Sequence, residues 1–235
     1  QRRAYMSEAK GFSQKVWAEF AELGWLTIPF AEDLGGFGGS VVDTSIVMEA
    51  LGRAVAMEPY MATVLLGGQA IARGSNEQLK ANYLEKILAG ECQAALAYLE
   101  RRSRHQLEAI DCSAIKGAIK SAIKNDDAYT ISGTKTLVLN GAAADVIIVS
   151  AKLGEQLGLF AVPTDSEGLS IEPMKLMDGQ PIANVILRGV VVSEDQLLCA
   201  PENSMALLQS IISDVTIAVS AQAVGAMEYL LKASV

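Results

Sequence analysis

The sequence predicts an α+β, multi-domain protein: an all-α N-terminal domain, a small β-barrel or sandwich in the middle, and a C-terminal helix. Three observations predict it. Apolar residues recur at helical spacing through residues 1–93. Strand-length apolar runs punctuated by turn residues fill 94–201. A long helical pattern rich in small residues then occupies 202–235.

In the first segment, Val16, Trp17, Phe20 and Leu23 share a helical spacing and Gly24 is the stop. The stretch Gly35-Gly36-Phe37-Gly38-Gly39 cannot continue a helix and predicts a loop. Helix resumes over 42–56, with Ile46, Met48, Leu51 and Val55 as candidate buried positions. A further helical run covers 61–73. Asn76 is placed to cap a short helix reaching Leu88, which Gly90 ends.

In the second segment, Tyr129-Thr130-Ile131-Ser132-Gly133 alternates and then turns. Strands are expected over 136–139, 145–151, 159–162, 169–173 and 183–187. Asn140-Gly141, Asp165-Ser166-Glu167-Gly168 and Asp178-Gly179 are the turns between them. The motif Ala-Ile-Lys occurs three times between Ala114 and Lys124, which predicts a basic edge strand or surface hairpin, or else a patch for an anionic group such as a CoA phosphate. In the third segment Ala218, Ser220, Ala221, Ala223, Gly225 and Ala226 allow close helix contact.

Composition narrows the function. Hydrophobic residues make up 51% and charged residues 20%, which excludes a disordered chain. A net charge of −8 argues against nucleic-acid binding, which needs a basic surface. No apolar run approaches the roughly 20 residues that span a bilayer, so no membrane insertion is expected. Cys92, Cys112 and Cys199 are odd in number and unpatterned, which fits a reducing, cytoplasmic setting. His105 is the sole histidine, so no metal site is expected. The glycine-rich loop lacks a Lys-Ser/Thr ending and is expected to be a structural turn rather than a phosphate cradle. The chain starts at Gln1 rather than methionine and stops inside a helical pattern, so it is expected to be part of a longer protein.

Several motifs, in order, resemble one family. Gly24-Trp25-Leu26-Thr27-Ile28-Pro29 followed by Asp33-Leu34-Gly35-Gly36-Phe37-Gly38-Gly39 resembles the "GW…PE…GG.G" signature of acyl-CoA dehydrogenases. Glu49-Ala50-Leu51-Gly52-Arg53 resembles the helix that follows it. Gly133-Thr134-Lys135, Asn140-Gly141 and Asp145 resemble that family's "G.K..ITNG" strand pair. Tyr98-Leu99-Glu100-Arg101-Arg102-Ser103-Arg104 is similar to the subgroup of pimeloyl-CoA dehydrogenase small subunits. On this resemblance, residues 202–235 are the first helix of a C-terminal α domain, most of which lies outside the chain.

The resemblance implies a flavoenzyme that desaturates an acyl-CoA between its α and β carbons and passes a hydride to FAD N5. It implies cofactor contacts at Tyr98, Leu99, Glu100, Ser103, Leu137, Val138 and Leu139, and substrate contacts at Ser103 and Arg104. Leu137 and Leu139 stand where the family has Trp and Thr; they can pack on a flat ring or serve as barrel-core leucines, but their side chains donate no hydrogen bond. No catalytic base is assigned within the chain. The family position falls on Val215, Asp214 points about 100° away from it, and Glu228 reads as a solvated side chain. Tyr60 and Met61, after Glu58-Pro59, are candidates for the acyl pocket. The implied partners are an acyl-CoA substrate, an electron-transfer flavoprotein as acceptor, and further subunits in a homo- or hetero-oligomer. Two alternatives stand beside the enzyme: a non-catalytic subunit whose partner supplies the base or the flavin contacts, and an acyl-CoA-binding protein without redox activity.

Overall fold

The computed structural model of the protein describes residues 5, 10–103, 106–120 and 123–234. Helix α1 (Gln14–Glu22) starts where the Ser13 hydroxyl accepts the Val16 N–H, and it buries Trp17 and Phe20. The Trp17 indole donates to the Gly90 carbonyl at 3.0 Å, which ties α1 to the far end of the helical domain. Helix α2 (Val41–Ala54) opens with a capping box between Ser40 and Asp43. Met48 and Leu51 are buried on it. Ile46 is 63% exposed, contrary to the expectation, because it sits two residues from Met48 and so on the opposite side of the helix. Val55, also expected in the core, is a half-buried left-handed cap at φ 50°.

The helical run expected from Met61 is a π-helix over Tyr60–Gly68 that tightens into α3 (Gln69–Arg73). Its glycines let it lie flat on the sheet: a Cβ on Gly67 would sit 2.6 Å from the Ala94 Cβ. Helix α4 (Glu77–Leu88) is capped by Asn76, whose side chain accepts the Leu79 N–H at 3.1 Å. The glycine-rich loop folds back on the preceding segment. Its Phe37, Gly38 and Gly39 N–H groups donate to the Thr27, Phe30 and Ile28 carbonyls, so these donors are already engaged and offer no phosphate cradle.

The middle of the chain is one curled seven-stranded sheet. Its strands are β1 (Ala94–Ala97), β2 (Ser113–Lys120), β3 (Ile123–Leu139), β4 (Val146–Leu153), β5 (Gln156–Pro163), β6 (Leu169–Lys175) and β7 (Pro181–Ser193). The order is β1-β4-β2-β3-β7-β6, with β5 pairing β4. The Ala-Ile-Lys region forms the β2–β3 hairpin; Ser121 and Ala122 lie outside the described residues. The expected turn at Gly133 does not occur. The strand runs through it because the Cys112 backbone crosses so closely that a Cβ there would meet Cys112 Cα at 2.7 Å.

Helix α5 (Pro201–Ser234) leaves the sheet and packs on α2. The crossing is set by two glycines. A Cβ on Gly52 would sit 2.0 Å from the Gln222 carbonyl oxygen, and one on Gly225 would sit 1.9 Å from that of Glu49. Backbones therefore touch directly, in the way small residues permit. By length and composition alone α5 could cross a membrane; in the fold Ser204, Leu208, Ile211, Ala218 and Gly225 are its buried positions. A Gly225→Ala substitution gains helix propensity of about 1 kcal/mol but drives a methyl into Glu49. We expect a net loss of about 2 kcal/mol, read as a lower urea midpoint; an unchanged midpoint would show that α2 and α5 separate freely.

Candidate functional site: a cleft at a strand bulge

The interior of the sheet holds a charged pair. Lys135 on β3 is fully buried, and its ammonium donates to Glu100 Oε1 at 2.6 Å and to the Ser150 hydroxyl at 2.9 Å. The same carboxylate accepts the Asp111 N–H at 2.7 Å and the Cys112 N–H at 3.1 Å. Burying two charges costs several kcal/mol per ion, which the pairing and the bonds to Ser150, Asp111 and Cys112 offset. Ser103 closes the turn beneath: its hydroxyl accepts the Glu100 N–H and donates to the Glu100 carbonyl, both at 3.1 Å. The side chains of Glu100 and Ser103 are thus engaged inside the protein and shape the 99–103 loop. Arg101 and Arg102 face solvent; Arg104 and His105 lie outside the described residues. Tyr98 and Leu99 are half-buried, and burial raises the Tyr98 phenol pKa.

This loop is tied to the next element of the site. The Leu99 carbonyl accepts the Thr136 N–H at 2.9 Å. Just there, β3 bulges: Lys135 pairs with Val185 and Val138 with Ala183, so Thr136 and Leu137 together oppose Asn184. Leu137 takes φ 54° and is 49% exposed. It is therefore not a barrel-core leucine, the alternative open to it in sequence. A leucine held left-handed costs about 1 kcal/mol or more, and such strain is typical of functional positions. Val138 is buried beneath it, and Leu139 is half-buried at the mouth of a cleft.

The cleft lies where the end of β3, α2, the start of the π-helix and α5 meet. Met48, Leu51, Met57, Met61, Leu139 and Pro181 give it apolar walls, and Glu58, Asn140, Gln180 and Gln222 supply polar groups. Tyr60 and Met61, the acyl-pocket candidates, line this cleft. The Tyr60 phenol donates to the Trp25 carbonyl at 3.0 Å, and burial pushes its pKa far up, so it is a neutral wall. Two buried acceptors in the cleft have no hydrogen-bond partner among the described residues: Glu58 Oε1 and Asn140 Oδ1. The other Glu58 oxygen accepts the Met57 N–H at 3.1 Å. The Asn140 amide donates to Gln93 Oε1 at 3.3 Å, which also accepts the Thr63 hydroxyl at 2.7 Å.

The carboxylates of α5 weighed in sequence are both paired. Asp214 meets Arg73 at 2.6 Å beside Val215 and a smaller pocket. Glu228 meets Arg53 at 2.6 Å and Lys232 at 2.7 Å. Among the described residues no cluster of His, Cys, Asp or Glu could hold a metal. Sequence reasoning treated Glu100 as a cofactor contact and Asn140 as a turn residue, and did not single out Glu58. A Glu beside Pro at the start of an apolar helical run was the available signal.

Comparisons with known proteins agree in one direction. The acyl-CoA dehydrogenase N-terminal domain profile matches residues 1–91, and the middle-domain profile matches residues 111–190. A probable acyl-CoA dehydrogenase of Bacillus subtilis, YngJ, is 27% identical, over 98% of this chain and 61% of its own length. An acyl-CoA dehydrogenase from Bacillus anthracis, solved in complex with FAD, is 26% identical with a TM-score of 0.83, covering 95% of this chain and 38% of that one. The Tcur3481-Tcur3483 steroid ACAD shares the fold at a TM-score of 0.83 and 23% identity, covering 98% of this chain and 59% of that one. The chain thus spans 61% or less of the length of these proteins.

Two expectations follow from the interior of the sheet. Lys135→Met leaves the Glu100 carboxylate buried without its counter-ion and costs about 3–5 kcal/mol. The double variant Lys135→Met/Glu100→Gln costs less than the sum of the singles, as a urea-unfolding mutant cycle reads; strict additivity would deny the pairing. Burial also pushes the Cys92 and Cys112 thiols from 9.0 up to about 11. Each holds its proton more tightly folded than unfolded. Their contribution is therefore whole below about pH 9 and is lost as pH rises through about 11. Cys112→Ala is expected to reduce the fall in unfolding free energy across that window; an unchanged alkaline limb would contradict it.

Proposed function

Because this chain belongs to the acyl-CoA dehydrogenase family, we propose that it supplies the N-terminal and middle portion of a flavin-dependent acyl-CoA dehydrogenase. Its reaction would be α,β-dehydrogenation of a CoA thioester. The observation that carries this reading is the strained, half-exposed Leu137 on the β3 bulge, two residues before Leu139, which lines an apolar cleft. FAD, when bound, would supply the hydride acceptor at N5, since no side chain can take a hydride.

The residues present fit such a ring. Leu137 and Leu139 offer an apolar ledge for a flat face, Val138 anchors it from below, and the Tyr98–Ser103 turn sets its edge through the Leu99–Thr136 hydrogen bond. In this reading Glu100 and Ser103 act by holding that turn in place. Arg104, next in the chain, is proposed for an anionic part of acyl-CoA. The cleft, about 30 Å³ in free volume and walled in part by Tyr60 and Met61, would receive only the tip of the acyl group. We assign no catalytic base among these residues: Asp214 and Glu228 are neutralised by arginine and lysine partners.

One observation favours a second reading, a subunit of a hetero-oligomer. Leu137 and Leu139 donate no side-chain hydrogen bond to a flavin and Val215 accepts no proton, so the partner would supply the missing flavin contacts or the base. Dye reduction by the full-length protein alone, or only with a co-expressed partner, separates the two. Electron-transfer flavoprotein is the proposed acceptor, and dye in its place suffices for the assay.

Leu137→Gly tests the flavin ledge apart from the fold. It relieves the left-handed strain, so stability is expected to hold or rise by about 1 kcal/mol, while FAD affinity falls about tenfold for the lost apolar contact. Flavin-fluorescence titration reads the second quantity. Undiminished FAD binding, or a purified full-length protein that takes up no flavin at all, would defeat the proposal.

A further inference from the structure

Resting on that reading, we propose that the acyl group accepted here carries a hydrogen-bond donor, a hydroxyl or an ammonium group, and that Glu58 selects it. The cleft is apolar along most of its wall, yet it buries one carboxylate oxygen that nothing among the described residues satisfies. A buried unsatisfied acceptor costs about 1–3 kcal/mol, and more for a charged group, so native interiors rarely keep one. Glu58 Oε2 is fixed by the Met57 N–H at 3.1 Å, which holds the carboxylate in the wall and leaves Oε1 as the acceptor without a partner.

A second acceptor in the same cleft, Asn140 Oδ1, is also unmatched, and Asn140 itself is only 2% exposed. One N–H of its amide is given to Gln93 Oε1, which also accepts the Thr63 hydroxyl. The two unmatched atoms are both acceptors, and the Glu58 carboxylate oxygen has no donor on its own group to offer. The basic side chains Arg53, Arg73 and Lys232 of the helical elements are held by Glu49, Asp214 and Glu228. A donor on the acyl group would fill what the chain leaves open. A distal carboxylate would instead bring like charge against Glu58 inside apolar walls, which the cleft rejects. This inference runs against a dicarboxylic acyl group.

The test uses the FAD-loaded full-length protein and four CoA thioesters of matched length, ending in methyl, hydroxyl, ammonium or carboxylate. Dissociation constants come from isothermal titration and, separately, from the shift of the flavin absorbance band. The hydroxyl or ammonium ester is expected to bind about tenfold more tightly than the methyl ester, and the carboxylate ester more weakly than it. The two donor arms decide which donor is preferred. Glu58→Ala should level donor and methyl esters, and Glu58→Gln, which brings an N–H into the cleft, should recover affinity for the carboxylate ester. Equal binding of all four, or a donor preference that survives Glu58→Ala, overturns the inference and leaves the dehydrogenase reading standing. Failure of every thioester to bind the flavin-loaded protein overturns both.

Discussion

The site depends on the buried contact between Lys135 and Glu100. These residues come from different parts of the sheet domain and meet at 2.6 Å with neither side chain reaching solvent. An apolar pair of similar volume would hold a sheet together at lower cost. What the charged pair adds is direction. The carboxylate must also receive Asp111 and Cys112, and the ammonium must also reach Ser150, so only one register of the 98–112 connection satisfies every group. That register delivers the Leu99 carbonyl to Thr136, the residue that begins the bulge. The left-handed Leu137 is thus held by a network that would lose hydrogen bonds if the strand straightened, which is how local strain persists.

The opposite wall of the cleft has a different origin. The π-helix and α2 belong to the helical domain, and α5 reaches them only because glycines remove the side chains between backbones. Gly52 lies against the carbonyl of Gln222, itself a cleft residue, and Gly67 lets the π-helix rest on β1. Rigid polar geometry fixes the sheet side and close apolar packing fixes the helical side. Any change in either shifts the gap between Leu139 and Met61. Position at a site between two elements is set by the contacts that seat the elements, not by the lining residues.

The order of helical, β and helical segments was legible, because hydrophobic period and turn residues are local signals. So were Asn76 as a cap and the turns at Asn140-Gly141 and Asp178-Gly179. What was not legible depended on partners distant in sequence. Gly133 reads as a turn until Cys112 is seen crossing it. Strand β1, Ala94–Ala97, carries no β-branched residue, and it forms because β4 offers parallel partners and the π-helix covers it. Ile46 fits a helical period but faces away from the core, since one face of α2 is enough to pack. Glu100 and Lys135 are 35 residues apart, and a charged residue in a loop motif reads as a ligand contact until its counter-ion is found.

The same distinction governs how polar residues around the cleft divide. Glu100, Ser103, Lys135 and Ser150 are each bonded within the chain, so they specify shape. Glu58 and Asn140 are the reverse case: each has one polar atom bonded within the chain and one buried oxygen without a partner among the described residues. Buried polarity that is complete points to folding, and buried polarity that is incomplete points outward to whatever fills the cleft. On that criterion the family motif around residues 98–103 is the scaffold. The acceptors left without a partner sit beside the start of the π-helix, at Glu58, and at the end of β3, at Asn140.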